Sequence, residues 1–83
     1  MSIDRQGAAR AFGQVLKAAR LAKGLSQENL AEAAELDRTT PSLYERGLRT
    51  PTLSVVIEIA QALGLEPAQL VSETLQRLRE GQQ

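Results

Sequence analysis

The sequence predicts an all-α protein, a bundle of five helices, on three observations. Apolar residues recur every three or four positions, Ser, Thr, Gly and Pro separate the apolar stretches, and no stretch has the pattern of a strand. The composition agrees, because 42% of the 83 residues are hydrophobic and only 2% are aromatic. The core must therefore consist of Leu, Ala, Val and Ile, of which Ala and Leu favour helices, and the length allows one small core.

The first helix is predicted from about Ala8 to Lys23, and Gly24 follows it at a C-cap position. Its apolar stripe, with offsets of three, four and seven residues, consists of Phe12, Val15, Leu16 and Ala19. The second helix is predicted over about residues 27–34, because Ser26 can cap its first turn.

A third helix is predicted over about residues 38–46 and ends at Gly47. Pro41 limits where this helix can begin, because proline beyond the first turn removes a hydrogen bond and strains the preceding residue. We therefore expect the N-cap at one of residues 38–40, or else a distorted first turn.

Pro51-Thr52 opens a fourth helix, which Gly64 ends. Its predicted apolar face consists of Leu53, Val56, Ile57, Ala60 and Leu63. Pro67 suits the first turn of a fifth helix. These elements predict a single domain over residues 8–79, with flexible ends at residues 1–7 and 80–83.

Several classes of function are excluded by residue types that the chain lacks. It has no Cys and no His, which removes disulfides, thiolate or imidazole metal sites, and Ser-His or Cys-His nucleophiles. We therefore expect no metal, no cofactor and no enzymatic activity, since a hydrolase would have to rely on carboxylates or hydroxyls alone. No apolar run approaches the roughly 18 residues of a membrane span, and a signal peptide is not apparent, so a cytoplasmic protein is expected.

Charge is distributed unevenly along the chain. The formal net charge is zero, but residues 1–25 carry +4 and the remainder carries −4. This asymmetry permits a basic face for a nucleic acid on a neutral protein. A solvated helix face explains the charges equally well.

The second and third helices, joined by three or four residues, have the arrangement of a helix-turn-helix. Many small bundles contain such a corner without contacting DNA. The connectivity alone is therefore as consistent with a purely structural role as with DNA binding. Over about residues 10–71, however, the chain resembles the Xre or Cro/repressor family of DNA-binding domains. The segments that carry the resemblance include Ser26-Gln27-Glu28-Asn29-Leu30-Ala31, Leu36-Asp37-Arg38-Thr39-Thr40, Ser42-Leu43-Tyr44-Glu45-Arg46-Gly47 and Pro51-Thr52.

This resemblance implies a lambda repressor-like fold and a bacterial or phage-encoded transcriptional regulator that binds double-stranded DNA sequence-specifically. It further implies that Arg20 pairs with Glu45 and so orients the third helix, the recognition helix. The N-terminal end of that helix is expected to enter the major groove. The residues expected to contact bases are Arg38, Thr39, Ser42 and Leu43.

Contacts with DNA phosphates are expected first from Gln27, in the first turn of the second helix, where free backbone N–H groups also point at the ligand. Arg46, Arg49 and Lys17 are further candidates, each with a solvated surface group as the alternative. Glu35 is one of the residues that depart from the resemblance: it stands where the family commonly has glycine, and a left-handed backbone at a non-glycine residue costs about 1 kcal/mol.

The fifth helix carries an apolar stripe made of Leu70, Val71, Leu75 and Leu78. We expect a homodimer through this stripe and hence a palindromic operator; the alternative is that the helix folds back on its own core. Nothing indicates a small-molecule effector, so control through protein concentration, including autoregulation, is expected. An antitoxin that binds a toxin partner and represses its operon is the alternative function, although the chain has little length to spare for a toxin-binding segment.

Overall fold

Five helices follow one another in the computed structural model, which describes residues 3–81, and no strand occurs within that range. The helices are Arg5–Lys23 (α1), Gln27–Ala33 (α2), Thr40–Glu45 (α3), Leu53–Leu63 (α4) and Pro67–Gly81 (α5). The predicted all-α class and order of five helices are confirmed. Among these helices none is long and apolar enough by itself to cross a membrane, and α4 and α5 pass that test only as a pair bent by 107°.

Both ends of the described chain are more helical than the sequence suggested. Helix α1 begins at Arg5 because Asp4 caps it: the carboxylate Oδ1 accepts a hydrogen bond from the Gly7 N–H at 3.0 Å. Helix α5 continues to Gly81. The structure thus places residues 5–7, 80 and 81 in helices, and residues 1, 2, 82 and 83, for which flexible ends were also expected, lie outside the described range.

Helices α1 to α4 end in the same way. One residue with a left-handed backbone comes shortly after each helix, and the next residue is a leucine in every case. The N–H of this leucine donates to the carbonyl of the residue five positions before it, which satisfies a carbonyl that the helix leaves free. These bonds, of 2.8–3.1 Å, join Leu25 to Arg20, Leu36 to Ala31, Leu48 to Leu43 and Leu65 to Ala60. The left-handed residue is glycine in three cases, but after α2 it is Glu35, with φ 57°.

One apolar core joins all five helices. Its buried members are Phe12, Val15, Leu16, Leu30, Ala34, Tyr44, Val56, Ile59, Ala60, Leu63 and Leu70. Helix α1, the longest helix, packs against both α5 and α3 and so supports the helix-turn-helix through α3.

Candidate nucleic-acid interface

The turn between α2 and α3 spans residues 34–39 and is longer than the three or four residues expected. Glu35 adopts the left-handed backbone that the family resemblance implied. Asp37 organises the end of the turn: its Oδ1 accepts hydrogen bonds from the N–H of Thr39 at 2.9 Å and from the Thr39 hydroxyl at 2.7 Å. These bonds, chiefly the one from the backbone N–H, lower the pKa of Asp37. Local interactions therefore hold the turn together.

Helix α3 begins at Thr40, later than the predicted start near Arg38, and Thr39 is its N-cap residue. The Thr39 hydroxyl makes no capping bond, since it donates to Asp37. Pro41 is the second helical residue, where the helix does not need its N–H. Arg38 and Thr39 consequently lie in the turn that leads into the helix and not inside its first turn, which corrects the predicted helix boundary.

Helix α3 crosses α1 at Gly13, where the two backbones nearly touch. A Cβ atom on Gly13 would lie 2.7 Å from the Glu45 carbonyl oxygen, so a larger residue would push α3 away. Beside the crossing, the rings of Phe12 and Tyr44 pack edge to face, with centroids 6.2 Å apart. Burial raises the pKa of Tyr44. The sequence analysis missed the role of Gly13, although a glycine inside a helix often signals close packing.

A buried ion pair fixes the end of α3. Arg20 donates from Nε to Glu45 Oε2 at 2.7 Å and from Nη2 to Glu45 Oε1 at 3.0 Å, and its Nη1 donates to the Leu25 carbonyl at 2.9 Å. The two side chains are only 9% and 4% exposed. The hydrogen bonds to Glu45 raise the pKa of the Arg20 guanidinium against the opposing effect of burial. The pair expected from the family resemblance is thus present, with two-point geometry that fixes orientation.

Gln27 joins this ion pair, which the sequence analysis did not foresee. Its Nε2 donates to Glu45 Oε1 at 3.1 Å, so the amide expected to hold a phosphate also has a partner within the protein. The network therefore connects α1, α2 and α3 at one carboxylate. No spacing in the sequence could indicate this contact, since it depends on how three helices meet.

The residues expected to contact bases lie together at the start of α3. Arg38 and Thr39 are exposed, and Ser42 and Leu43 are half-buried one turn further on. Arg38 has no hydrogen-bond or ion-pair partner among residues 3–81, so its guanidinium is free to bind a ligand. The turn that leads into α3 is thus polar and accessible, whereas Thr40, Pro41 and Tyr44 of the helix itself are buried.

The expected phosphate contacts are distributed over a wider surface. Arg46 is exposed and its Nε lies 3.4 Å from the Ser42 carbonyl, so it folds back along α3. Arg49 is exposed in the loop between α3 and α4. Lys17 is exposed on α1, outside the helix-turn-helix. The charges of Arg38 and Arg49 both help to lower the pKa of Asp37, whereas Lys17 belongs to a different helix.

The predicted dimer stripe on α5 is only partly available. Leu70 has no exposed surface and belongs to the core of its own subunit, which corrects its assignment to a dimer interface. Leu78 is half-buried, and its Cδ1 lies 3.1 Å from the position of a Cβ on Gly7. Val71 and Leu75 remain 54% and 43% exposed.

Helix α4 also exposes apolar residues. Leu53 is 73% exposed and Ile57 is 39% exposed, although the sequence analysis placed both on the apolar face of α4 together with core residues. The core instead takes Val56, Ile59, Ala60 and Leu63. The interval of four between Leu53 and Ile57 is a signal of a second stripe that could have been noticed.

Comparisons with known proteins agree with this geometry. The family described as "Helix-turn-helix" matches residues 16–70. The control protein C.BamHI of Bacillus amyloliquefaciens is 42% identical over 64 residues, which cover 76% of this chain and 79% of that protein. The crystal structure of the restriction-modification controller protein C.AhdI from Aeromonas hydrophila has a TM-score of 0.73 and 45% identity, and it covers 75% of this chain and 94% of that one.

A second controller protein has been solved with DNA. The structure of the C.Esp1396I tetramer in complex with its natural 35 base-pair operator has a TM-score of 0.76 and 30% identity to this chain. The match covers 86% of this chain and 93% of that one. The helices described above are therefore arranged as they are in a protein that is known to bind an operator.

Proposed function

Because the chain belongs to the helix-turn-helix family, we propose that it is a transcriptional regulator that binds double-stranded operator DNA sequence-specifically as a homodimer. One observation carries this proposal: the turn that leads into α3 presents a free Arg38 to solvent, while Arg20, Glu45 and Gly13 fix the C-terminal end of the helix to the core. A rigidly mounted helix with an accessible cationic tip suits the major groove.

The chemistry of base contact follows from the residues at that tip. Arg38 can donate two hydrogen bonds to the O6 and N7 atoms of guanine. The methyl group of Thr39 can contact the methyl group of thymine, since the Thr39 hydroxyl already donates to Asp37. Ser42 and Leu43, one turn later, extend the contact along the groove. Specificity is thus proposed to lie chiefly with Arg38.

The backbone of the DNA is proposed to be held on both sides of α3. Gln27, in the first turn of α2, lies next to backbone N–H groups that α2 leaves free. Arg46, Arg49 and Lys17 supply positive charge around the recognition helix. Phosphate contacts of this kind set the register of the protein on the duplex but carry no sequence information.

The dimer is proposed to form through the exposed apolar residues of α4 and α5. This surface, which we call the α4–α5 patch, consists of Leu53, Ile57, Val71 and Leu75. A two-fold dimer places two recognition helices about 34 Å apart, which matches two half-sites of a palindromic operator. The operator-bound tetramer of C.Esp1396I supports assembly of related proteins on DNA.

The proposed regulator acts where the DNA is, in the cytoplasm of a bacterium, and is not an enzyme. Without an effector to switch it, occupancy of the operator follows the concentration of dimer, which suits control of its own gene.

Fluorescence anisotropy with DNA tests the function. A site selected from a random duplex pool, and the DNA upstream of the gene, are compared with scrambled DNA at about 0.15 M salt. We expect saturable binding to the first two only, and Arg38→Ala is expected to weaken it by about 1–3 kcal/mol. Arg79→Ala, which removes an exposed arginine from α5, is the matched control. Equal binding to scrambled DNA would refute sequence-specific regulation.

Sedimentation equilibrium tests the dimer. The double variant Leu53→Glu/Ile57→Glu places charges on the α4–α5 patch and is expected to give a folded monomer with weakened operator binding. Leu21→Glu is the control, because Leu21 is also exposed (58%) but lies on α1. A variant that still dimerises would rule out this interface.

A further inference from the structure

A groove of about 380 Å³ lies between the first turns of α1 and the loop that follows α3. Its lining residues are Arg5, Gln6, Ala9, Gly47, Leu48, Arg49 and Thr50. Two of them are exposed arginines, and Gln6 and Thr50 add an amide and a hydroxyl. The groove thus offers several hydrogen-bond donors and no carboxylate.

The fold does not explain why Arg5 is there. Arg5 is the first residue of α1, and a cation at the N-terminus of a helix opposes the helix dipole. Among residues 3–81 it has no ion-pair partner, whereas Arg10 lies 3.9 Å from Asp4 and Arg20 is paired with Glu45. Arg5 therefore contributes to the excess positive charge of residues 1–25 and remains free to bind an external anion.

The groove is continuous with the recognition helix. Gly47, the left-handed residue that follows α3, lies against α1, because a Cβ at this position would be 3.1 Å from the Arg10 Cα. Arg49 belongs both to the groove and to the proposed contacts with the DNA backbone. An anion in the groove would therefore be held between the start of α1 and the exit of α3.

We propose that this groove binds a phosphodiester group of the DNA backbone, with Arg5 and Arg49 as donors from its two walls. The proposal rests on the proposed function and extends the DNA contact from the helix-turn-helix to the first turn of α1. Arg5 then acts on affinity and on the salt dependence of binding but not on the choice of base.

The salt dependence gives the expected size of the effect. Each phosphate that a protein neutralises contributes about −0.9 to the slope of log K against log salt concentration. A homodimer carries two copies of the groove, so loss of Arg5 should reduce the magnitude of the slope by up to about 1.8, the full amount applying where Arg49 alone no longer neutralises the phosphate. At about 0.15 M salt, each contact that is lost completely weakens binding by roughly fivefold.

The experiment measures operator binding by the full chain from about 0.05 to 0.3 M salt. Arg5→Ala should weaken binding and reduce the magnitude of the salt slope as given above. Arg5→Lys should retain most of the affinity and most of the slope, and Arg79→Ala should change neither the affinity nor the slope. All variants should lose the same factor on exchanging a base pair of the operator. A separate thermal melt should show that Arg5→Glu, which weakens binding most, does not lower the melting temperature, since the helix dipole favours an acid there.

The outcomes separate this inference from the proposed function. If the unchanged protein fails to distinguish its operator from scrambled DNA, the proposed function fails. If it binds specifically and Arg5→Ala keeps the affinity and slope of the unchanged protein, only the groove proposal is overturned. A change in base preference with Arg5→Ala would also overturn it, because a phosphate contact carries no such preference.

Discussion

The two ends of α3 are held in different ways. At the C-terminal end, Tyr44 and Glu45 are enclosed by α1, with the Glu45 side chain only 4% exposed and the backbone against Gly13. Just before the N-terminal end, Arg38 and Thr39 are exposed. Bonds from Thr39 to Asp37 and from the Leu43 N–H to the Thr39 carbonyl hold them, and we call these two residues the open end of α3. One short helix therefore has a fixed end and an open end.

This difference separates stability from recognition. Residues at the fixed end set the position and direction of α3, so changes there should alter the free energy of unfolding first. Residues at the open end contact little of the protein, so changes there should alter DNA affinity with little effect on unfolding. The predictions below test whether this separation holds.

The largest effect is expected from Glu45→Ala. This change leaves the Arg20 guanidinium buried without its counter-charge, which should lower the free energy of unfolding by about 3–5 kcal/mol. Urea denaturation measures the loss. The double variant Arg20→Met/Glu45→Leu replaces both charges by apolar groups and should recover most of the stability. A loss of under about 1 kcal/mol for Glu45→Ala would mean that solvent screens the pair and that the fixed end is not held by charge.

Gly13→Ala tests the close crossing of α1 and α3. The added methyl group meets backbone carbonyl oxygens that have no flexible side chain to move aside, so we expect a loss of about 1–3 kcal/mol despite the better helix propensity of alanine. DNA affinity should fall as well, since α3 would shift. Gly81→Ala is the control, because a Cβ there meets no atom within 4 Å. An unchanged denaturation midpoint for Gly13→Ala would contradict the crossing.

The open end and the fixed end also differ in how far the sequence predicts them. The five helices follow from apolar spacing and from local caps such as Ser26 and Thr52, because these features involve residues three or four positions apart. The turn before α3 is largely local too, and Pro41 correctly limited the cap to a few residues. The helix begins two residues later than predicted, since Arg38 and Thr39 belong to the turn and the Thr39 side chain bonds to Asp37 and does not cap the helix.

Contacts between distant segments were harder to predict. The Arg20–Glu45 pair came from the family resemblance and not from the pattern of residues. The bond from Gln27 to Glu45, and the burial of Leu70, depend on how separate helices meet. A helix with two apolar stripes does not by itself show which stripe faces the core, which is why Leu53 and Ile57 were misplaced.

Glu35→Gly should stabilise the protein by up to about 1 kcal/mol, because glycine adopts the left-handed backbone without a Cβ penalty. Gly24→Ala is the reverse control, because it puts a Cβ on a left-handed residue. No atom lies within 4 Å of a Cβ at Gly24, so the expected loss of about 1 kcal/mol in the free energy of unfolding comes from the backbone conformation alone. Denaturation measures both, and operator affinity should stay constant. A loss of affinity with Glu35→Gly would show that the direction of the turn depends on the strained residue.

The smallest effect concerns pH at the open end. Bonds from Thr39 hold the pKa of Asp37 below its ordinary value of 3.8, so the ionised carboxylate stabilises the turn above that pH, and this contribution is lost as the pH falls through the lowered pKa. Titration of Asp37 by NMR measures the shift. Thr39→Val removes the hydroxyl donor but keeps the backbone N–H, the larger cause, so the pKa should rise only part of the way to 3.8. Affinity for the operator should persist in Thr39→Val, because the proposed contact with thymine uses a methyl group. A full return of the pKa together with lost affinity would mean that the hydroxyl, and not the backbone, organises the open end of α3.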